Sequence, residues 1–211
     1  MKIAILLYDR FTALDAVGPY EILARMPDTE VVFTAAKRGP VRADLGSLAL
    51  TADAALDEVT SADLVLVPGG PGSQVQQEQP EVLDWLRAVD ATTTWTTSVC
   101  TGSIVLAAAG LLTGRRATTH WFVPQALAAF GAEPVDERVV FDGKYATAAG
   151  VSSGIDLALH LVGRIHGAET AQGIQLLTEY DPQPPYTAGS TKTAPPTVVD
   201  AVRARFGAVP S

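Results

Sequence analysis

Short apolar segments that suit buried strands alternate along the chain with segments of helical periodicity. The predicted strands are residues 3–7, 30–36, 64–67, 93–99, 139–141 and 145–148, and residues 118–121 are a short strand or the end of one. The predicted helices are residues 14–26, 81–88, 124–130, 152–165 and 168–177. This alternation predicts a mostly parallel sheet with helices on both faces.

Three local signals modify this pattern. Pro19 lies inside the first helical segment, where it predicts an early turn or a kink. Asp142-Gly143 separates two strand-like segments and predicts a hairpin. Residues 41–51 contain Gly46 and short apolar runs, which leave a small hairpin and an extended excursion both open.

The length of 211 residues suits one α/β domain, which we place at residues 1–180. A hydrophobic content of 47% is enough for a well-buried core. Residues 181–211 form a tail rich in Pro, Thr, Ala and Ser, in which residues 198–206 favour one short helix.

Charge and composition exclude several kinds of partner. The net charge of −8 disfavours nucleic acid and anionic membranes. No apolar run approaches the roughly 20 residues that cross a bilayer, and the apolar start is interpreted as a strand rather than a signal peptide. One cysteine allows no internal disulfide, which predicts a cytoplasmic protein. The sequence has no zinc-site spacing, GxGxxG or P-loop, so we expect no metal and no cofactor.

Cys100 is the only cysteine and lies between a strand pattern and an alanine-rich helical run. Its spacing to Gly102 is similar to the second half of a nucleophile elbow. The start of a helix favours an anion, so a thiolate here is expected to have a lowered pKa. The alternative is an inert cysteine buried in the core.

Asp15 is the first carboxylate that we place near Cys100, because the carboxyl ends of parallel strands meet at one edge of the sheet. A carboxyl group close to a thiolate has a raised pKa and is suited to general acid–base catalysis. The alternative is a helix cap. Glu21 is a second candidate, although it also has the spacing to pair with Arg25.

Gly69 and Gly70 directly follow an apolar strand, so their N–H groups are candidates for one arm of an oxyanion hole. The N–H of Thr101 would form the other arm, and the Thr101 hydroxyl is a candidate to bind Asp15 or the substrate. A tight turn requires the same glycines. His120 is the only histidine expected near this edge, and its spacing does not establish a pair with Cys100.

Five motifs in order resemble the DJ-1/PfpI superfamily, relatives of the class I glutamine amidotransferases. They extend over residues 1 to about 178. The motifs are Leu14-Asp15-x-x-Gly18-Pro19-x-Glu21, Leu66-Val67-Pro68-Gly69-Gly70, Ser98-Val99-Cys100-Thr101-Gly102, Ala117-Thr118-Thr119-His120-Trp121 and residues 147–156. The resemblance implies a single-domain, flavodoxin-like, three-layer α/β/α sandwich with a nucleophile elbow, and a homodimer.

Within the superfamily the chain most resembles isonitrile hydratases and the sensor domains of AraC-type regulators. In the hydratases a cysteine nucleophile, an acidic partner and a threonine occupy the places of Cys100, Asp15 and Thr101. PfpI-type proteases have a histidine directly after the cysteine, where this chain has Thr101, which disfavours a protease. His120 matches a histidine without an established base role, so it is left out of the mechanism.

The resemblance implies that water adds to an isonitrile substrate to give an N-substituted formamide through a thioimidate on Cys100. Asp15 would donate and accept the protons, and the amides of Gly70 and Thr101 would stabilise developing charge. Two alternatives stay open. One is another cysteine chemistry of this fold, glyoxalase-like, deglycase-like or redox-sensing. The other is a ligand-sensing domain without catalysis, which the lack of a basic, helical DNA-binding region disfavours.

Overall fold

The computed structural model describes residues 1–206, and the last five residues of the predicted tail lie outside that part. Seven strands of the described residues form the main sheet: β1 (Lys2–Leu6), β2 (Glu30–Ala35), β5 (Ala54–Ala55), β6 (Leu64–Val67), β7 (Trp95–Val99), β10 (Val139–Asp142) and β11 (Tyr145–Ala148). Their order across the sheet is β10-β11-β7-β6-β1-β2-β5. Within this sheet only β10, which pairs with β11, is antiparallel to its neighbour.

Helices cover both faces of the sheet, as the alternating pattern predicted. One layer contains α1 (Ala13–Leu23), α6 (Ser153–His166) and α7 (Ala168–Leu177), which pack in that order. The other is built around α4 (Gly102–Ala108), which contacts α2 (Ser73–Gln76), α3 (Pro80–Asp90) and α5 (Pro124–Ala129). The architecture is therefore the predicted flavodoxin-like α/β/α sandwich.

The central strands β1 and β6 are apolar along nearly their whole length because helices bury them on both sides. The fully buried large side chains are mostly branched aliphatic: Ile3, Ile5, Leu6, Leu7, Ile22, Leu23, Leu64, Leu66, Leu86, Leu106 and Leu112, with Phe11. The carboxyl ends of β1, β6, β7 and β11 therefore meet at one rigid edge.

The structure corrects some local predictions and decides between the alternatives left open for residues 41–51. Helix α1 continues through the buried Pro19 and ends at Leu23, three residues early, where Ala24 caps it. Residues 118–121 are not a strand; the short strand there is β8 (Arg116–Ala117), paired with β9 (Glu133–Pro134). The ambiguous stretch is an antiparallel hairpin of β3 (Gly39–Arg42) and β4 (Ala49–Ala52). The short β5, α2 and a 3-10 helix at Leu56–Glu58 were not predicted, since each is too short for a periodic signal.

The C-terminal segment is largely exposed. Helix α8 (Pro196–Phe206) includes the stretch predicted to be helical. Lys192 bonds the carbonyl of Asp136 and pairs with its carboxylate at 2.9 Å, and Arg203 lies over the ring of Trp121. These contacts hold the segment against the α5–β10 region. None of the helices in residues 1–206 combines the length and the apolar character that crossing a bilayer requires.

Candidate active site

Cys100 occupies the sharp turn between β7 and α4. Its φ of 57° lies in the left-handed region that residues other than glycine rarely adopt. Its N–H donates to the carbonyls of Ala148 and Ala149, while Ser103 Oγ and Thr119 Oγ1 each donate to its carbonyl at 3.0 Å. These four contacts stabilise the strained conformation, as expected of a nucleophile elbow.

Gly102 is required by the same turn. A Cβ at this position would lie 2.1 Å from the carbonyl oxygen of Val67, which no side chain tolerates. The helix start therefore packs directly against the end of β6. This contact explains the spacing of Cys100 and Gly102 that identified the elbow in the sequence.

Asp15 lies in the first turn of α1 and is completely buried. It does not cap the helix, since the N-cap position belongs to Thr12. Its Oδ2 accepts a hydrogen bond of 2.8 Å from Gly69 N–H, and its Oδ1 has no hydrogen-bond partner in the described residues. The structure thus has a buried carboxyl group with one free oxygen.

Asp15 and Cys100 interact directly. Burial raises the pKa of Asp15 to about 7, while the Gly69 N–H and the Cys100 thiol act in the opposite direction. Burial and the Asp15 charge raise the pKa of Cys100 well above its usual range. The pair therefore holds one proton over a broad range of pH, since two adjacent negative charges are disfavoured in a buried site.

The expectation of a lowered pKa for Cys100 is therefore wrong for this conformation. The N–H groups of Thr101 and Val151 and the Thr101 hydroxyl do lower that pKa, but burial and the Asp15 charge outweigh them. A helix start and an adjacent carboxylate have opposite effects on a thiol. The sequence indicated the first effect more clearly than the second.

The hydroxyl oxygen of Thr101 accepts two hydrogen bonds, which leaves its proton free to be donated. Its Oγ1 accepts from Gly70 N–H and from Ser73 Oγ, both at 2.9 Å. Both lone pairs are then occupied, so the hydroxyl proton is available to the Gly70 carbonyl at 3.3 Å and to the Cys100 sulfur, whose pKa this hydroxyl lowers. Thr101 is therefore placed as a donor to the nucleophile.

The glycine pair is close to Cys100 but differs from the predicted arrangement. Gly69 N–H is bound to Asp15, and Gly70 N–H is bound to Thr101 rather than free. A Cβ on Gly69 would lie 2.5 Å from Thr101 N, so this glycine permits the close approach of two loops. In this conformation the N–H groups directed at the sulfur are those of Thr101 and Val151.

Three residues that contribute to the site around Cys100 and Asp15 were not predicted from the sequence. Val151 supplies its backbone N–H, which carries no side-chain signal. Ser73 orients Thr101, and Tyr8 is buried with its hydroxyl on the Pro68 carbonyl at 2.6 Å. Tyr8 directly follows the first predicted strand and Ser73 lies six residues after another, so nearness to the carboxyl edge is the signal that would have indicated them.

His120 lies beside the site without a hydrogen bond to Cys100 in residues 1–206. Burial lowers its pKa, its Nδ1 accepts from Phe122 N–H, and it lines a cavity of about 800 Å³ with Gly150 and Val151. Glu21 is separate from the site, since it pairs with Arg25 at 2.7 Å on the surface of α1. Residues 1–206 contain no cluster of acidic, histidine and cysteine side chains that could hold a metal ion.

Comparison with known proteins gives consistent matches. The model of the DJ-1/PfpI family matches residues 1–164. An isonitrile hydratase from Pseudomonas putida is 44% identical over 97% of this chain and 90% of that protein. The HTH-type transcriptional regulator CdhR of Pseudomonas aeruginosa is 37% identical over 63% of this chain and 40% of its own length. The crystal structure of a THiJ/PfpI family protein from Pseudomonas syringae has a TM-score of 0.94 and 38% identity, and covers 99% of this chain and 88% of that one.

Proposed function

The chain belongs to the DJ-1/PfpI family, and from this premise we propose that it is an isonitrile hydratase with Cys100 as nucleophile and Asp15 as the acid–base residue. The observation that carries the proposal is the buried pair of a strained cysteine and a carboxyl group with one free oxygen. The near full-length similarity to a curated isonitrile hydratase supplies the substrate class.

The first step adds the thiol across the terminal carbon of the isonitrile. The sulfur forms a bond to that carbon, Asp15 accepts the thiol proton, and the same proton passes to the carbon. The product is a thioimidate, R–N=CH–S–Cys100, and no leaving group is released. Asp15 suits this transfer because its pKa of about 7 lies near neutral pH.

The second step consumes one water. The carboxylate of Asp15 removes a proton from the water as its oxygen attacks the thioimidate carbon, and the nitrogen becomes protonated. Collapse of the tetrahedral adduct breaks the carbon–sulfur bond and releases the N-substituted formamide and the thiol. The N–H groups of Thr101 and Val151 and the Thr101 hydroxyl stabilise the negative charge on the departing sulfur. Gly70 N–H contributes to an oxyanion hole only after it is released from Thr101.

The test is formamide production from cyclohexyl isocyanide, with wild type beside Cys100→Ala and Asp15→Asn. We expect turnover by the wild type that each substitution abolishes. Intact-protein mass spectrometry during turnover is expected to detect an adduct with the mass of the whole isonitrile on wild type but not on Cys100→Ala. A wild type that produces no formamide but converts a dicarbonyl or oxidises at Cys100 would replace this proposal with the glyoxalase-like or redox function.

We further propose that the protein acts in the cytoplasm as a homodimer. Leu176 and Leu177 on α7 are 79% and 71% exposed, and Leu14 on α1 is also exposed. These side chains lie on one helical layer, near a cavity lined by Leu14, Val17 and Ile155. A second copy that covers them would remove this apolar surface from water. Light scattering coupled to size exclusion tests the dimer, and a monomer at micromolar concentration would contradict it.

A further inference from the structure

We propose that Tyr8 is a positioning residue for Asp15, acting through the peptide group that joins Pro68 to Gly69. Tyr8 Oη donates to the carbonyl of Pro68 at 2.6 Å. The N–H of Gly69, which belongs to the same peptide group, donates to Asp15 Oδ2 at 2.8 Å. The inference rests on the proposed function of Asp15 and assigns a role to a residue outside the reacting atoms.

The peptide group is planar, so the directions of the Pro68 carbonyl and the Gly69 N–H are fixed relative to each other. A hydrogen bond that fixes the direction of the Pro68 carbonyl also fixes the direction of the Gly69 N–H. Hydrogen bonds in a chain also polarise one another, so donation to the carbonyl strengthens donation by the N–H. Within residues 1–206 the Gly69 N–H is the only nitrogen or oxygen donor to the Asp15 carboxyl group. Its orientation therefore has a large influence on that group.

Tyr8 is held in place to act in this way. It follows β1 by two residues, is 5% exposed, and its ring lies against Gly72, where a Cβ would be 3.1 Å from the ring. Burial, and then the charges of Asp15 and Cys100, raise the pKa of Tyr8, so its hydroxyl remains a donor. No hydrogen bond joins Tyr8 to Asp15 or Cys100 among the described residues. The hydrogen-bonded path from its hydroxyl to Asp15 therefore runs through the Pro68–Gly69 peptide group.

The groups that face Asp15 determine the direction of the expected effect. They are Cys100 from the elbow, Tyr8 after β1 and Asp44 in the β3–β4 turn, and none of them is a cation. Only the Gly69 N–H and the Cys100 thiol favour the carboxylate. A weaker Gly69 hydrogen bond therefore favours the protonated form of Asp15. Since the first step needs Asp15 as a base, the rise of activity with pH moves to higher pH.

The test is the pH profile of kcat/KM for cyclohexyl isocyanide with Tyr8→Phe in the full chain. We expect the acidic limb to move to higher pH by about half to one pH unit, with KM unchanged at high pH. Tyr145→Phe is the matched control, because it also removes a tyrosine hydroxyl that donates a hydrogen bond, here to the Asp90 carboxylate at 3.1 Å. Its limb is expected to match wild type. An unchanged limb in Tyr8→Phe, with a lower Tm only, would show that Tyr8 is merely structural.

A second variant separates the role of the Tyr8 hydroxyl from folding, and a direct titration of Asp15 separates it from catalysis. Site-specific 3-fluorotyrosine at position 8 keeps the ring and makes the hydroxyl a stronger donor, so the limb is expected to move to lower pH. The Asp15 carboxyl group can also be titrated directly by 13C NMR of aspartate-labelled protein, with Asp15→Asn to assign the signal. A shift of this titration in Tyr8→Phe supports the positioning role even if no isonitrile is hydrated. An unchanged titration in both Tyr8 variants would refute it.

Discussion

A carboxylate lies near a tyrosine at each end of strand β7, and the two clusters are built in opposite ways: Asp15 is completely buried, whereas the Asp90 side chain is 13% exposed. At the amino end, Asp90 accepts hydrogen bonds from Thr96 Oγ1 at 2.6 Å and Tyr145 Oη at 3.1 Å. Lys144 Nζ lies 3.1 Å from the same carboxylate. Both oxygens of Asp90 therefore have partners, and a cation neutralises the charge.

At the carboxyl end, the described residues place no cation beside Asp15, and only the Gly69 N–H and the Cys100 thiol favour its carboxylate. One of its oxygens accepts from Gly69 N–H, and the other has no partner in the described residues. The groups around it, Cys100, Tyr8 and Asp44, are acidic. Both oxygens of the half-buried Asp90 therefore have partners, whereas one oxygen of the fully buried Asp15 has none among the described residues, at the place where a proton has to move.

The largest expected effect that separates the two clusters is on the pH dependence of stability. The folded-state pKa of Asp15, about 7, is above its ordinary value of 3.8, so the folded state binds this proton more tightly than the unfolded state. Its contribution to stability is present in full below pH 3.8 and is lost as the pH rises through 7. Between pH 5 and pH 8 the loss is about 3 kcal/mol.

Asp15→Asn is expected to remove this loss while it abolishes hydration. The measurement is urea unfolding of wild type and Asp15→Asn from pH 5 to pH 8. The stability difference between variant and wild type should therefore grow in favour of the variant by about 3 kcal/mol from pH 5 to pH 8, because the amide never ionises. Parallel curves for the two proteins across this range would contradict a raised pKa of Asp15.

The second-largest expected effect is a loss of stability when the Asp90 cluster at the amino end of β7 is disrupted. Asp90→Asn leaves the Lys144 ammonium, which is 31% exposed, without its carboxylate. Removing one partner of a fully buried ion pair lowers stability by about 3–5 kcal/mol. This pair is partly exposed, so we expect the free energy of unfolding to fall by about 2 kcal/mol. Hydration should be unchanged. Urea unfolding at pH 7 measures the loss, and a variant as stable as wild type would show that the ion pair contributes nothing.

The contrast also explains what could be predicted from the sequence. The central strands, the helical layers and the elbow follow from apolar runs and from the Cys100–Gly102 spacing, which act locally. Asp15 was located because parallel strands bring their ends together. The protonation of Asp15 and Cys100 depends on burial and on a neighbour 85 residues away along the chain. A pattern along the chain does not record that neighbour, which is why the predicted pKa of Cys100 was wrong.

The sequence also did not predict which backbone N–H groups donate to the site residues, for a related reason. The Gly69-Gly70 pair was correctly placed beside Cys100, but which N–H faces which acceptor depends on loop orientation. In the structure these two groups hold Asp15 and Thr101. The N–H of Val151, which faces the sulfur, belongs to the turn before α6 and has no signature in its side chain.

The smallest of the expected effects compares the threonine at each end of β7. Thr101→Val removes a hydroxyl that lowers the pKa of Cys100, so we expect kcat/KM to fall about tenfold, or 1.4 kcal/mol. It also leaves Gly70 N–H and Ser73 Oγ without their acceptor, so we expect stability to fall by about 1 kcal/mol. Thr101→Ser keeps the hydroxyl and should retain most of the activity. Thr96→Val removes the bond to Asp90 and should lower stability by about 1 kcal/mol without affecting the rate. If Thr101→Val lost stability rather than rate, the hydroxyl would serve the loop through Gly70 and Ser73, and the two ends of the strand would be alike in using threonine for structure.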